Sequence, residues 1–107
     1  MFMSFCILSS TFPDENSTKQ IIECLLENRL VACIQMMPIT SYYNWDGKLA
    51  ESKECLLLMK TQSDLYTEIE QIIKENHPYT LPQLIQIPID KGLPDYLQWI
   101  ANETIKY

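Results

Sequence analysis

The dipeptide Asp46-Gly47 lies between two long stretches of strand-forming residues and predicts a β-hairpin. A two-residue hairpin turn needs a positive φ at its central positions, which Asp and Gly adopt at low cost. The outgoing strand covers residues 31–45 with an interruption at Pro38, and the return strand covers residues 48–61. Because proline cannot donate a ladder hydrogen bond, Pro38 indicates either an edge strand or a bulge.

A two-residue loop also determines which residues face one another across the hairpin. Side chains alternate between the two faces of a strand, so a slip by one residue would turn every side chain to the wrong face. The inner pairs are apolar on both sides, which supports this register. The predicted pairs are Trp45 with Lys48, Tyr43 with Ala50, Tyr42 with Glu51, Met36 with Leu57, and Ile34 with Met59.

Strand and helix patterns alternate along the rest of the chain. The predicted order is strand, helix, strand, strand, helix, strand, followed by a short C-terminal helix. This order predicts a single α+β domain over residues 1–107 with the ferredoxin-like split βαβ fold, in which two helices cover one face of an antiparallel sheet. The signals are a strand over 2–11, a helix start at Pro13-Asp14, a helix cap at Ser63 or Asp64, a helix end at His77-Pro78, a last strand over 82–90 and a helix start at Pro94.

The composition limits the classes of function that the chain can serve. It has 14 acidic residues against 8 basic ones and a formal net charge of −6, so it is poorly suited to neutralise the phosphates of a nucleic acid. No segment approaches the ~20 apolar residues of a membrane span, and the N-terminal stretch lacks the basic region of a signal peptide. We therefore expect a cytoplasmic protein whose four cysteines are reduced.

Two features predict that the chain assembles with copies of itself. A straight strand over residues 31–45 would reach about 50 Å, longer than the roughly 33 Å diameter of such a domain, so the hairpin must bend at Pro38 or project. The return strand is apolar on both faces, and two helices on one face would leave Met37, Leu56 and Leu58 exposed as an interface. The alternative is that the C-terminal helix folds back over the second face.

A series of motifs follows in order along nearly the whole chain. The most specific are Thr-Ser-x-Tyr-x-Trp-x-Gly-Lys at residues 40–48 and His-Pro-Tyr at residues 77–79. Thr-Phe-Pro-Asp at 11–14, Leu-Val-Ala-Cys-Ile at 30–34 and Tyr-Leu-Gln-Trp-Ile at 96–100 accompany them. Together these motifs resemble the CutA family of divalent-cation tolerance proteins.

The resemblance implies a homotrimer of ferredoxin-like subunits, packed sheet edge to sheet edge like the PII signalling proteins. It also implies a role in tolerance to copper and other divalent cations, with no established enzymatic reaction and no catalytic residue. Members noted for copper binding place a cysteine and two histidines at positions that correspond here to Ser10, Asn76 and His77. Because only His77 keeps a strong ligand, we expect copper or another divalent cation to bind weakly, and no cofactor to be obligatory.

The candidate site residues allow more than one interpretation. His77 is the candidate metal ligand, but a histidine at the end of a helix is also favoured there by the helix dipole. Tyr43 and Trp45 are predicted to be interface aromatics, or to line a ligand pocket between subunits together with Lys60, His77 and Tyr79.

Lys60 also has a second interpretation, a salt bridge with Glu54 or Glu51. Two functions remain open for the same reason, since the candidate residues can either bind a ligand or serve a structural role. In the first, a cytoplasmic trimer linked to divalent-cation tolerance binds metal weakly or a small ligand between its subunits. In the second, a PII-like structural or signalling trimer binds metal only incidentally.

Overall fold

The computed structural model describes residues 3–105, which form one four-stranded sheet and three α-helices. The first predicted strand begins at Phe2, which lies outside the described residues. The predicted order of strands and helices is confirmed. The strands are β1 (Phe5–Phe12), β2 (Cys33–Trp45), β3 (Lys48–Gln62) and β4 (Ile85–Ile89), and the helices are α1 (Glu15–Glu27), α2 (Tyr66–Asn76) and α3 (Pro94–Glu103).

The hairpin between β2 and β3 forms as predicted. Asp46 has a φ of 51° and Gly47 a φ of 74°, so both central residues of the turn adopt the left-handed conformation. All of the predicted cross-strand pairs are present, from Trp45 opposite Lys48 at the turn to Ile34 opposite Met59. A two-residue turn therefore sets the pairing along the whole hairpin.

The sheet has the strand order β2-β3-β1-β4 with antiparallel pairing throughout, which confirms the ferredoxin-like arrangement. β2 is an outer strand and runs through Pro38 without a break, because one side of an outer strand needs no ladder partner. The hairpin therefore does not stop at the proline.

The core lies between the sheet and the first two helices. Alternate residues of β1 and β3 face α1 and α2, as the period of two along a strand requires. Each large apolar side chain buried there contributes about 1.5–3 kcal/mol. The buried cluster consists of Cys6, Leu8, Phe12, Ile21, Leu25, Leu30, Val31, Leu57, Met59, Leu65, Ile69 and Ile73.

Residues 39–54 form a two-stranded arm that extends beyond the rest of the sheet. β1 pairs with β3 only from Cys55 to Gln62, so the remainder of the hairpin has no third strand beside it. The molecule is accordingly elongated, 47 × 26 × 21 Å. The sequence allowed either a bend at Pro38 or a projecting hairpin, and the structure shows that the hairpin projects.

The second face of the sheet is partly covered by α3. Gln62 Nε2 donates a 2.6 Å hydrogen bond to Thr104 Oγ1, next to the C-terminal end of this helix, and Ile100 is fully buried. Leu56 and Leu58 are half-buried and were wrongly predicted to be exposed. The C-terminal helix lies on this face beside Lys60 and Gln62 of the same strand, as the alternative interpretation proposed. Met37 remains 43% exposed, as predicted.

The helix termini confirm one predicted helix start and contradict the predicted helix cap. Asp14 caps α1, and its Oδ1 accepts a 2.7 Å hydrogen bond from the Ser17 N–H. Ser63 and Asp64 do not cap α2 with their side chains. The chain enters α2 through a 3₁₀ turn, in which the Tyr66 N–H donates to the Ser63 carbonyl and so satisfies that terminal donor through the backbone.

β4 is shorter than the predicted strand over residues 82–90. Only Ile85 to Ile89 pair with β1. The preceding segment is held by side chains instead of a ladder, because Ser10 Oγ donates to the Gln83 carbonyl at 2.7 Å and Gln83 Nε2 donates to Ser9 Oγ at 3.2 Å. This arrangement frees residues 79–83 to form part of a cleft.

Candidate ligand-binding cleft

A cleft of about 610 Å³ runs along the arm from its base, on the sheet face opposite α1 and α2. Tyr43 and Trp45 line it from β2, because residues two apart on a strand share a face. Glu54 of β3 and Thr11 of β1 contribute to the same wall, and residues 79–83 close the opposite side. The cleft therefore joins parts of the chain that are far apart in sequence.

A hydrogen-bonded contact crosses the cleft. The Tyr79 hydroxyl donates to Glu54 Oε2 at 2.9 Å, and the hydroxyls of Tyr43 and Ser52 lie 2.7 Å apart. Burial, together with the hydrogen bond to Glu54 and the negative charge of its carboxylate, raises the pKa of Tyr79 to about 12. Tyr79 therefore remains a neutral donor at physiological pH.

His77 holds the segment that carries Tyr79. Its Nδ1 accepts a 3.0 Å hydrogen bond from the Tyr79 backbone N–H, so its Nε2 carries the proton and donates to the Thr11 carbonyl at 2.7 Å. The ring also stacks on Phe12 with a centroid distance of 4.2 Å. The neutral Nε2–H tautomer satisfies both contacts at once and ties α2 to the end of β1.

The role of His77 as a metal ligand stays a prediction. Both of its ring nitrogens are engaged by backbone groups, so a metal ion would first have to displace one of those hydrogen bonds. Residues 3–105 contain no group of three or more His, Cys, Asp and Glu side chains placed to hold a metal ion. Ser10, at the position corresponding to a ligand cysteine, is fully buried and donates to a backbone carbonyl.

The structure brings together Tyr43, Trp45 and Tyr79, three of the residues that the sequence singled out. Lys60 is not among the lining residues, because it lies six residues from Glu54 along β3, a separation of about 20 Å. The same distance rules out the predicted salt bridge with Glu54, and Glu51 is farther still. The Lys60 ammonium instead lies 5.3 Å from the ring centre of Tyr96 on α3.

Sequence reasoning missed most of the lining of the cleft, and it considered Glu54 only as an ion-pair partner. The other lining residues that it did not identify are Thr11, Ser41, Tyr42, Thr80, Leu81 and Gln83. Glu54 could have been found from the hairpin register, which pairs it with Ile39 and so places it on the same face as Tyr43. Nothing in the local sequence indicates that residues 79–83 return to that face.

Comparison with known proteins assigns the chain to a family. The family model described as CutA1 divalent ion tolerance protein matches residues 6–103. The chain belongs to this CutA1 family. A divalent-cation tolerance protein CutA from Pyrococcus horikoshii is 41% identical over 100 residues, which is 94% of this chain and 98% of the relative.

Solved CutA1 structures share the same fold. The crystal structure of CutA1 from Oryza sativa superposes with a TM-score of 0.93 at 31% identity, covering 97% of this chain and 96% of that one. A structure described as the periplasmic divalent cation tolerance protein CutA from Archaeoglobus fulgidus gives a TM-score of 0.90 at 33% identity, with 92% and 97% coverage. The ferredoxin-like prediction and the CutA resemblance are thus confirmed.

The name of one relative bears on the cellular location. The Archaeoglobus relative is called periplasmic, so the cytoplasmic location inferred from the sequence stays a prediction. Among residues 3–105, no helix combines the length and the apolar character that a membrane crossing requires.

Proposed function

We propose that this CutA1 protein acts in divalent-cation tolerance as a cytoplasmic homotrimer that binds a metal ion weakly, or a small ligand, in a cleft between subunits. The observation that carries the proposal is the cleft beside the arm, where Tyr43 and Trp45 of the Tyr-x-Trp motif and Tyr79 of the His-Pro-Tyr motif line one concave surface. Concave surfaces with a few convergent polar groups are the usual sites of ligand binding.

The exposed surface of the arm supports assembly. Tyr42 is 66% exposed, Trp45 57% and Leu49 78% in the isolated chain, a cost that a neighbouring subunit would remove. β2 and β4 are the outer strands of the sheet, and β4 exposes Ile85 and Ile87 by 51% and 46%. Open strand edges with apolar side chains are suited to pairing with another copy.

The chemistry of the cleft supports weak metal binding at most. Within residues 3–105, Glu54 is the one carboxylate that lines the cleft, and it already accepts a hydrogen bond from Tyr79. Copper and zinc sites normally combine three or four nitrogen, sulfur or carboxylate ligands. A divalent cation held by one carboxylate and hydroxyl groups would exchange readily with water.

The second candidate function is a PII-like structural or signalling trimer in which metal binding is incidental. The aromatic lining favours it, because Tyr43, Trp45 and Tyr79 present apolar ring surface suited to a small organic molecule. In this case tolerance to cations would follow indirectly from a ligand or partner bound by the trimer.

Light scattering and copper titration test the proposal together. We expect a particle near three times 12.5 kDa at micromolar concentration, and weak saturable Cu(II) binding by calorimetry. Cys24, Cys33 and Cys55 are half-buried thiols, so the titration uses a background with alanine at these positions. His77→Gln, which keeps a donor for the Thr11 carbonyl, should reduce binding if His77 is a ligand.

The outcomes separate the two functions. A monomer would overturn the assembly proposal. A trimer whose copper affinity is the same with and without His77→Gln would favour the second candidate, in which metal is incidental. Restoring the missing ligands with Ser10→Cys and Asn76→His should tighten copper binding markedly if the positional correspondence is correct.

A further inference from the structure

We propose that His77 serves in this chain as the residue that positions Tyr79 against the base of the arm, and not as a ligand of a metal site. This inference rests on the proposed function in taking the cleft as the ligand site, and it adds the residue that holds one wall of that cleft in place. It follows from the contacts of the His77 ring, from the contacts that connect the ring to the arm, and from the surroundings of the other two positions that correspond to copper ligands.

Both nitrogens of the His77 ring are used within the subunit. In the neutral Nε2–H tautomer the free lone pair of the ring is on Nδ1, and Nδ1 accepts the Tyr79 backbone N–H at 3.0 Å. A metal ion binds an unprotonated ring nitrogen, so it would have to take this lone pair and leave the Tyr79 N–H without its acceptor. Tyr79 is half-buried, and an unpaired backbone donor that is shielded from water is costly. The local structure therefore opposes metal binding at this nitrogen.

The same hydrogen bond forms a turn that sets the course of the chain after α2. The His77 backbone N–H closes the last turn of α2 on the Ile73 carbonyl at 2.9 Å, and Pro78 has no N–H to donate. The Tyr79 N–H is thus the first backbone donor beyond His77, which accepts it across two residues as Asn and Asp side chains do in Asx turns. The ring is held in place for this role because its Nε2–H donates to the Thr11 carbonyl at 2.7 Å.

A series of contacts connects the His77 ring to the arm. The ring of Tyr79 lies beside that of His77, with the centroids 5.0 Å apart, and its hydroxyl donates to Glu54 Oε2 at 2.9 Å. Glu54 pairs with Ile39 at the base of the arm. In the described part of the chain no third strand lies beside the arm, and a two-stranded ribbon is only marginally stable by itself. His77 therefore acts through Tyr79 on both the cleft wall and the base of the arm.

The residues at the other two ligand positions are engaged elsewhere. Ser10 is fully buried, and its hydroxyl donates to the Gln83 carbonyl at 2.7 Å. Asn76 is exposed at the end of α2, where its Nδ2 donates to the Ile72 carbonyl at 2.8 Å, and it lines a small depression together with Cys24 of α1. Residues 3–105 hold no three His, Cys, Asp or Glu side chains placed around a metal ion. The donor set of this chain thus does not fit the copper site that the resemblance implied.

Variants that keep one half of the His77 ring separate its two contacts. His77→Asn retains an acceptor in the place of Nδ1 for the Tyr79 N–H, His77→Gln retains a donor for the Thr11 carbonyl, and His77→Ala retains neither. We expect the Tyr79 amide, followed by NMR hydrogen exchange in the full chain, to exchange at least about tenfold faster in His77→Gln and His77→Ala than in the wild type. His77→Asn should restore the rate to within about threefold of the wild type. Equal acceleration in His77→Asn and His77→Gln would overturn the positioning role, and this comparison stands even if His77→Ala does not fold.

The carbon-13 signal of the Glu54 carboxylate reports whether Tyr79 still reaches the arm. Tyr79→Phe removes the hydroxyl and so defines the position of the signal without this hydrogen bond. His77→Ala should move the signal most of the way to that position, whereas His77→Asn should leave it near the wild-type value. An unmoved signal in His77→Ala would contradict the proposal.

Asn76→Ala is the matched control. It removes the neighbouring side chain, whose hydrogen bond stays within α2, so it should change neither the exchange of the Tyr79 amide nor the Glu54 signal. Effects as large as those of His77→Ala would show a general loosening of the helix end and overturn the specific role of the ring.

Copper titration tests the second half of the proposal. His77 is the one histidine of the chain, so its nitrogen-15 ring signals are unambiguous, and they should show a protonated Nε2 and an unprotonated Nδ1. In the background with alanine at the half-buried cysteines, the Cu(II) affinities of His77→Asn and His77→Gln should equal that of unsubstituted His77 within about twofold. A larger loss in both variants would make His77 a metal ligand and refute the inference.

The same samples distinguish this inference from the proposed function. A trimer whose copper affinity falls in both His77 variants would refute the inference and leave the proposed function intact. A monomer in which the Tyr79 amide and the Glu54 signal respond as expected would support the positioning role and refute the proposed assembly.

Discussion

Replacing Trp45 by alanine tests whether the arm docks against a neighbouring subunit. Trp45 precedes the turn at Asp46, at the far end of a two-stranded ribbon that has no third strand beside it. In the isolated chain it is 57% exposed, so its truncation removes little of the subunit's own packing. We therefore expect the variant to keep its fold and lose part of its assembly energy.

The magnitude follows from the exposed surface. An aromatic side chain buries up to about 250 Å² when fully covered, so 57% exposure leaves about 140 Å² for a neighbour to cover. At about 25 cal/mol per Å² this area contributes at most about 3.5 kcal/mol per subunit. Over three copies the loss would reach about 10 kcal/mol, enough to shift association by several orders of magnitude.

The assay combines light scattering over a dilution series with thermal unfolding at several protein concentrations. We expect Trp45→Ala to dissociate at higher concentration than the wild type and to show a lower unfolding temperature that rises more steeply with concentration. Trp99→Ala is the matched control, because Trp99 is 40% exposed and lies on α3, away from the arm. Circular dichroism of both variants should retain the native spectrum.

Two results would refute the docking argument. If Trp45→Ala has the same mass and the same unfolding temperature as the wild type, the indole contacts no neighbour. If Trp99→Ala weakens assembly as much as Trp45→Ala, the interface involves the α3 face and the arm has no special role.

Three further substitutions test the fold and the cleft. Thr61→Val removes the buried hydroxyl that donates to the Leu30 carbonyl at 2.6 Å, so the free energy of unfolding in urea should fall by about 1–3 kcal/mol; no change would show that water replaces the hydroxyl. Gly47→Ala meets no atom within 4 Å but must adopt a φ of +74°, so it should cost about 1–2 kcal/mol through backbone strain alone, and unchanged stability would mean that the turn relaxes. Glu54→Gln should lower the pKa of Tyr79 from about 12, because the carboxylate favours the neutral phenol, and the tyrosinate absorbance that disappears in Tyr79→Phe measures this pKa. The folded state holds the Tyr79 phenol proton more tightly than the unfolded state does, so this proton stabilises the fold below the unfolded-state pKa of 10.0, and the stabilisation is lost as the pH rises towards about 12. Tyr79→Phe should reduce this loss of stability at alkaline pH. If the variant and the wild type show the same dependence of stability on pH, the raised pKa is contradicted.

The pairing of the hairpin is the part of the structure that the sequence alone determined most completely. Asp46-Gly47 allows a turn of only two residues, and from that turn every pair back to Ile34 and Met59 follows by counting. The helix start at Asp14 could be predicted for a similar reason, since its cap is satisfied by Ser17, a near neighbour in sequence. Local interactions of this kind depend on few residues and little on the rest of the fold.

The position of α3 depended on the tertiary structure. Its amphipathic pattern predicts a helix, but a helix pattern does not specify which surface it covers. The Gln62 to Thr104 hydrogen bond joins residues 42 apart and places α3 against the second face. Leu56 and Leu58 lie on the same face and are half-buried, which no periodicity in their own strand could reveal.

The cleft likewise depends on both strand alternation, which is local, and contacts between residues far apart in sequence. Strand alternation places Tyr43, Trp45 and Glu54 on one face, which the sequence determines once the register is known. The opposite wall exists because His77 bonds to the Thr11 carbonyl, a contact between residues 66 positions apart. Lys60 shares the face of Glu54 but lies outside the cleft. Strand alternation predicts which face of the sheet a residue occupies, whereas the distance of that residue from the site depends on the folded chain.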